Sequence, residues 1–238
     1  MNLLTVYPIQ SCNLNCYYCP MKKWTYPIDS PCNQLNNDIL FKWIDKYLNP
    51  NEWLIEISGG EPGVYPEIGT LVEGLSERGY YGEIKTNGML PIPKTDTFIR
   101  VAAWHEACDI NHPPKYYDEM LIICNPNDCW KDKIAYCKKH NISYKDVPFR
   151  EFHIEESLRK RGAHMVPPKR NEYIDNWCVI YSGGRIVGCV REASSDEVSV
   201  LNMSPPSLHD VKDEGCICCS QIGGFELHIP DKWKEMIR

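Results

Sequence analysis

The chain has 238 residues, is 43% apolar and carries a net charge of −6 at pH 7. That length and apolar share suit one large domain, or one domain with a small appendage. The acidic balance argues against a general nucleic-acid-coating role, and apolar runs no longer than LIEI or MLIIC fall far short of the roughly 20 residues of a membrane span. Thirteen cysteines are far above ordinary usage, and their number is odd. The start, MNLLTVYPIQS, has no basic n-region and no cleavage pattern, so it reads as a first strand in a reducing, cytoplasmic protein. There a dense cysteine set points to metal or catalysis before disulfides.

In chain order, β-type runs fall at 3–9, 53–58, 82–86, 98–104, 119–124 and 143–149. Between the first two, NDILFKWIDKYL (37–48) repeats its apolar residues at helical spacing, with Asn37 as the expected cap. IGTLVEGLSERG and CWKDKIAYCKKHN read as later helices, the second closing near Asn141. NGMLPIPKTD, with two prolines, is too short for a further helix. Strands alternating with helices imply a parallel sheet covered by helices, and about six units are too few for a closed eight-stranded barrel. From Trp177 the pattern becomes a hairpin around Gly183-Gly184. A boundary is expected in the basic, proline-rich stretch 159–173, dividing residues 1–160 from 161–238. Cys32, Cys108, Cys124, Cys129 and Cys137 are read as small core hydrophobes.

The first run leads into IQSCNLNCYYCPMKKW, with Cys12, Cys16 and Cys19 at Cys-x3-Cys-x2-Cys spacing. A loop after the first strand of such a sheet lies where these folds place ligands. Three thiolates can hold three irons of a cubane cluster and leave the fourth without a protein ligand. A structural zinc site with a borrowed fourth ligand fits the same residues. SGGEP follows the second strand: Gly59 and Gly60 let backbone approach a ligand, and Glu61 can receive an ammonium group. KTNG follows the third strand at the corresponding position.

Over roughly residues 3–150 the sequence resembles the radical S-adenosylmethionine superfamily. Its Cys-x3-Cys-x-aromatic-Cys signature is matched by Cys12, Cys16, Tyr18 and Cys19, and its GGE-type motif by Gly59, Gly60, Glu61 and Pro62. The resemblance implies a partial (β/α)6 TIM-like barrel. It also implies a [4Fe–4S] cluster on Cys12, Cys16 and Cys19 whose open iron chelates the methionine moiety, with Tyr18 near the adenine. Ser58, Gly59, Gly60, Glu61 and Pro62 would then serve the methionine end and Thr86 or Asn87 the nucleoside. A reductant such as flavodoxin or ferredoxin is the implied electron donor.

In the tail, Cys178 and Cys189 flank the Gly-Gly turn, and EGCICCSQ adds Cys216, Cys218 and Cys219. Cys178, Cys189, Cys216 and Cys219 form a set that can converge on one site, with Cys218 a substitute for either neighbour. Zinc and iron–sulfur compete for it on local grounds. Attached to such a core, the tail resembles the twitch form of the SPASM extension, which implies one auxiliary [4Fe–4S] cluster with no open iron and an electron-transfer role.

On the substrate side, His105 and Glu106 follow the fourth strand as an acid–base pair, and Arg150 after the sixth can meet a carboxylate or phosphate. The alternatives are that the pair hydrogen-bonds cofactor or loop, and that the basic run 159–170 is a solvated linker. A polar small molecule or nucleotide is the expected substrate, ahead of a peptide, since no leader-binding domain is expected before the first strand; a nucleic-acid base ranks third. The net reaction is an oxidation, epimerisation or rearrangement. The rival from another class is a non-enzymatic iron–sulfur or zinc protein that transfers electrons or binds a partner. It explains the cysteines but not SGGEP and KTNG.

Overall fold

The computed structural model describes residues 2–16, 34–105, 107–124, 128–148, 176–180 and 186–187, the last two segments through their backbone pairing. Its strands are β1 (Asn2–Val6), β2 (Trp53–Ile57), β3 (Tyr81–Thr86), β4 (Phe98–Trp104), β5 (Glu119–Cys124), β6 (Lys145–Pro148), β7 (Asn176–Ile180) and β8 (Ile186–Val187). They form one sheet in the order β6-β5-β4-β3-β2-β1-β7-β8. Every pairing from β1 to β6 is parallel, β7 runs parallel to β1, and β8 is antiparallel to β7. Helices α1 (Asn37–Tyr47), α2 (Ile68–Glu77) and α3 (Trp130–Lys139) cross between β1 and β2, β2 and β3, and β5 and β6. The proline-containing link between β3 and β4 carries no helix, as its composition predicts.

Strand side chains alternate between faces. On one face Leu4, Val6, Ile55, Ile57 and Ile84 join Leu40, Trp43 and Ile44 of α1 and Leu71, Val72 and Leu75 of α2 in the main core. Full burial of each such aliphatic side chain favours folding by about 1.5–3 kcal/mol. The opposite face carries Thr5, Glu56, Glu83 and Lys85 on β1 to β3, and Ile99 and Val101 on β4. The sequence therefore hides an interior surface inside strands that read as apolar runs.

Three expectations change. The cap of α1 is Asn36, whose Oδ1 accepts from the Ile39 amide at 3.0 Å. Asn37 is instead buried; its Oδ1 lies 3.0 Å from the Tyr65 hydroxyl and its amide donates to the Glu67 carbonyl at 3.3 Å. Cys108 and Cys137 are buried as expected, whereas Cys124 is partly exposed and Cys129 exposed; Cys32 lies outside the described residues. The hairpin at Trp177 forms, and β7 also joins the main sheet beside β1. As predicted, α3 closes at Asn141, whose φ of 54° lies in the left-handed region that asparagine tolerates.

Asn36→Ala should lower stability by about 1 kcal/mol through loss of the cap. Asn37→Ala should cost at least as much, about 1–3 kcal/mol, because it strands buried polar partners. Urea unfolding of both variants measures the difference.

Candidate active site

The site forms where the loops after β1, β2 and β3 meet at the carboxyl ends of their strands. The loop after β2 is pinned to the segment entering the cysteine loop. The Ser58 amide donates to the Val6 carbonyl (2.9 Å), Gly60 to Ile9 (3.0 Å) and Glu61 to Ser11 (2.9 Å). Gly59 has φ of 109°, and at Gly60 any Cβ would collide with the Ser11 carbonyl oxygen. Glycine is required here so that two backbones can lie against each other.

Glu61 ties this assembly to the third loop. Its side chain is buried, and its residue is only 1% exposed. Oε1 accepts from the Thr86 hydroxyl at 2.6 Å and the Gly63 amide at 3.0 Å, while Oε2 accepts from the Asn87 amide at 2.7 Å. A carboxylate offers about four acceptor positions, so one remains, on Oε2. Burial raises the Glu61 pKa, and the three hydrogen bonds work in the opposite direction. Pro62 opens a single 3-10 turn, Pro62–Val64, that presents the Gly63 amide.

Asn87 carries the connection to the cysteine loop. Its side-chain amide donates to Asn13 Oδ1 at 2.7 Å and lies 3.9 Å from Cys12 Sγ, and its Oδ1 accepts from the Met89 amide at 3.0 Å. Cys12 is exposed, and its sulfur also accepts from the Leu14 amide at 3.3 Å. N–H groups directed at a sulfur orient it as a soft-metal ligand is oriented. Cys16 is buried.

The structure thus brings together Cys12, Ser58, Gly59, Gly60, Glu61, Pro62, Thr86 and Asn87. His105 follows β4, and its carbonyl accepts from Lys133 Nζ at 2.9 Å. Lys133 is fully buried and paired with Asp128 at 2.7 Å, an anchor that the sequence reading missed. Asn13 was missed as well, since it occupies a position the cysteine spacing leaves free. Backbone pairing sets Cys178 of β7 opposite Leu4 of β1. Tyr18, Cys19, Glu106, Arg150, Cys189, Cys216, Cys218 and Cys219 lie outside the described residues.

A family model described as the radical SAM superfamily matches residues 6–149. The 7-carboxy-7-deazaguanine synthase of Haemophilus influenzae is 32% identical over 88 residues, which are 37% of each chain. A Methanocaldococcus jannaschii protein named for glycyl-radical enzyme activation is 24% identical over 222 residues, covering 86% of this chain and 77% of its own. Among solved structures, Streptococcus suis SuiB bound to S-adenosylmethionine aligns with a TM-score of 0.54 at 15% identity, over 82% of this chain and 62% of that one. That last likeness is one of fold. The match to the synthase spans little more than a third of that relative.

Glu61→Gln should weaken the joint between the loops, because an amide nitrogen cannot accept from the donors that surround it. The expected loss is about 1–3 kcal/mol, and Gly60→Ala should be destabilising through displacement of the 10–11 backbone. Urea unfolding checks both, and wild-type stability in Glu61→Gln would show that the carboxylate is no clamp.

Proposed function

We propose that this chain, which belongs to the radical SAM superfamily, binds S-adenosylmethionine over an iron–sulfur cluster and abstracts hydrogen from a polar small-molecule substrate. The superfamily uses a [4Fe–4S] cluster with S-adenosylmethionine. In this chain Cys12, Cys16 and Cys19 would hold that cluster. The observation that carries the reading is the meeting of Cys12 with the SGGEP and KTNG loops through Asn87 and Glu61. An electron carrier needs no such joint.

The donor set fits: soft thiolates in a loop, with the Cys12 sulfur facing the Leu14 and Asn87 N–H groups. When bound, the cluster and S-adenosylmethionine supply a one-electron reductive cleavage that gives methionine and a 5′-deoxyadenosyl radical. The protein's own part is to orient and to enclose. Gly59 and Gly60 keep the loop after β2 close to the cysteine loop, so that backbone polar groups meet the methionine end. Glu61 would receive the ammonium at its remaining Oε2 position, while Thr86 and Asn87, held by Glu61, would line the nucleoside with Tyr18. His105, Glu106 and Arg150 are assigned to the substrate as acid–base and anion-binding groups.

Residues 161–238 are proposed as a twitch-like module with an auxiliary [4Fe–4S] cluster on Cys178, Cys189, Cys216 and Cys219. A cluster ligated fully by protein favours an electron-accepting role, and hence an oxidation over an epimerisation or rearrangement. The electron donor would be a flavodoxin or ferredoxin in the cytoplasm. The partial match to 7-carboxy-7-deazaguanine synthase supports a polar heterocyclic or nucleotide-like substrate. The fold likeness to SuiB, also solved with its precursor peptide SuiA, favours a peptide as the second reading.

Anaerobic reconstitution with iron and sulfide, followed by a 5′-deoxyadenosine assay with a strong reductant, tests this directly. Replacing Cys12, Cys16 and Cys19 by alanine should remove four irons and abolish cleavage. Replacing Cys178, Cys189, Cys216 and Cys219 should remove a second set and leave the first. Unchanged cleavage in the former variant would overturn the cluster assignment, and unchanged iron in the latter the auxiliary one.

A further inference from the structure

The sheet face opposite α1 and α2 carries three ionisable side chains packed against one another. Register places Thr5 of β1, Glu56 of β2 and Glu83 of β3 side by side, with Lys85 two residues further along β3 on the same face. Lys85 Nζ lies 2.6 Å from Glu56 Oε2 and 3.4 Å from Glu83 Oε1. Glu56 Oε1 also accepts from the Thr5 hydroxyl at 3.3 Å. Glu56 is 3% exposed and Glu83 1%. Two buried carboxyl groups therefore face a single ammonium, and both that ammonium and the Thr5 hydroxyl lie with Glu56.

Among the described residues, Glu56 Oε2 and both Glu83 oxygens have no donor in hydrogen-bonding geometry. As two carboxylates the pair would hold a surplus negative charge away from water with three acceptor atoms unmet, which is costly. A proton kept on Glu83 removes both faults. It cancels the surplus charge, and it turns Glu83 into an O–H donor hydrogen-bonded to Glu56. Burial is the largest cause raising the Glu83 pKa; the Lys85 charge lowers it and Glu56 raises it again, to about 8. The other titratable groups that the described strands place on this face are Tyr81 of β3, and Glu119 of β5 with Lys145 of β6, which pair with each other at 3.4 Å. The neighbouring strand β4 presents Ile99 and Val101, with Ile99 the register partner of Glu83.

We infer that Glu83 and Glu56 share one proton at neutral pH, and that this proton is a pH-sensitive latch between β2 and β3, the two strands that deliver Glu61, Thr86 and Asn87 to the cofactor site. With the proton in place the cluster is neutral and joins the two strands. Its loss in mild alkali sets two carboxylates against each other across the β2–β3 pair. The proton belongs to the pair and not to one residue alone. The folded chain holds this proton where the unfolded chain, with the glutamate at its ordinary value of 4.5, has lost it. The stabilisation is therefore complete below pH 4.5, declines as pH rises, and is gone above about pH 8.

The test uses the full reconstituted chain. The infrared difference spectrum of wild type minus Glu83→Gln should show, at pH 7, the carbonyl stretch of a neutral carboxylic acid, and that band should disappear with a midpoint near pH 8. Glu83→Leu, which also lacks the carboxyl, is the second reference and should give the same band, so the reading survives if Glu83→Gln does not fold. Glutamine imitates the protonated side chain and can donate to Glu56 at every pH. The melting temperature of Glu83→Gln should therefore gain on that of wild type by about 3–5 °C for each pH unit between pH 6 and 8, as the two unfolding constants part about tenfold per unit. Absence of the acid band at pH 7, a midpoint below pH 6, or a melting difference that does not change with pH overturns the latch. So does a Glu83→Gln chain that melts below wild type at pH 8, which would make Glu83 an ionised partner of Lys85.

Discussion

A single buried carboxylate holds the mouth of this sheet together. Glu61 accepts from Thr86, Gly63 and Asn87 at 2.6–3.0 Å, so two loops from neighbouring strands share one acceptor. Hydrogen bonds to a charged group contribute about 1.5–3 kcal/mol each, enough to fix loops that otherwise carry little apolar burial. Because the Glu61 amide is itself bonded to Ser11, the cysteine loop is held at the same joint. The position of Cys12 thus follows from Glu61 as much as from β1.

The sheet divides two tasks between its faces. Helices α1 and α2 cover one face with the aliphatic core, which supplies most of the stability. The other face, freed from that task, carries charge: Glu56, Glu83 and Lys85 lie where a purely structural sheet would place Val or Ile. Addition of β7 beside β1 extends the same sheet beyond its first strand. Since β7 and β1 run parallel, their carboxyl ends lie at the same end of the sheet.

Much of this was legible in the sequence. Periodicity found α1, α2 and α3, and the prolines between β3 and β4 correctly excluded a helix there. The order of the cysteine loop, SGGEP and KTNG marked the site because each follows a strand. What failed did so for local reasons. Asn36 and Asn37 are equivalent as cap residues in sequence, and only the burial of Tyr65 against Asn37 separates them. Cys124 and Cys129 look as apolar as Cys108 and Cys137, but Cys124 ends β5 and Cys129 precedes α3, whereas Cys108 and Cys137 pack in the cluster around Trp104. Glu56 and Glu83 were read as ordinary members of β runs, since period-2 alternation does not say which face is the interior. Asn13 and Lys133 carried no motif, because their roles depend on partners 74 and 28 residues away.

The central claim is that the three-cysteine loop, held by Glu61 and Asn87, presents an open iron to S-adenosylmethionine. The most direct measurement is electron–nuclear double resonance of the reduced, reconstituted protein with S-adenosylmethionine labelled with 15N at its amino group. The account predicts a 15N coupling to the cluster that is lost when Cys12, Cys16 and Cys19 are replaced. A reduced cluster with no such coupling, under conditions where S-adenosylmethionine is bound, would contradict it.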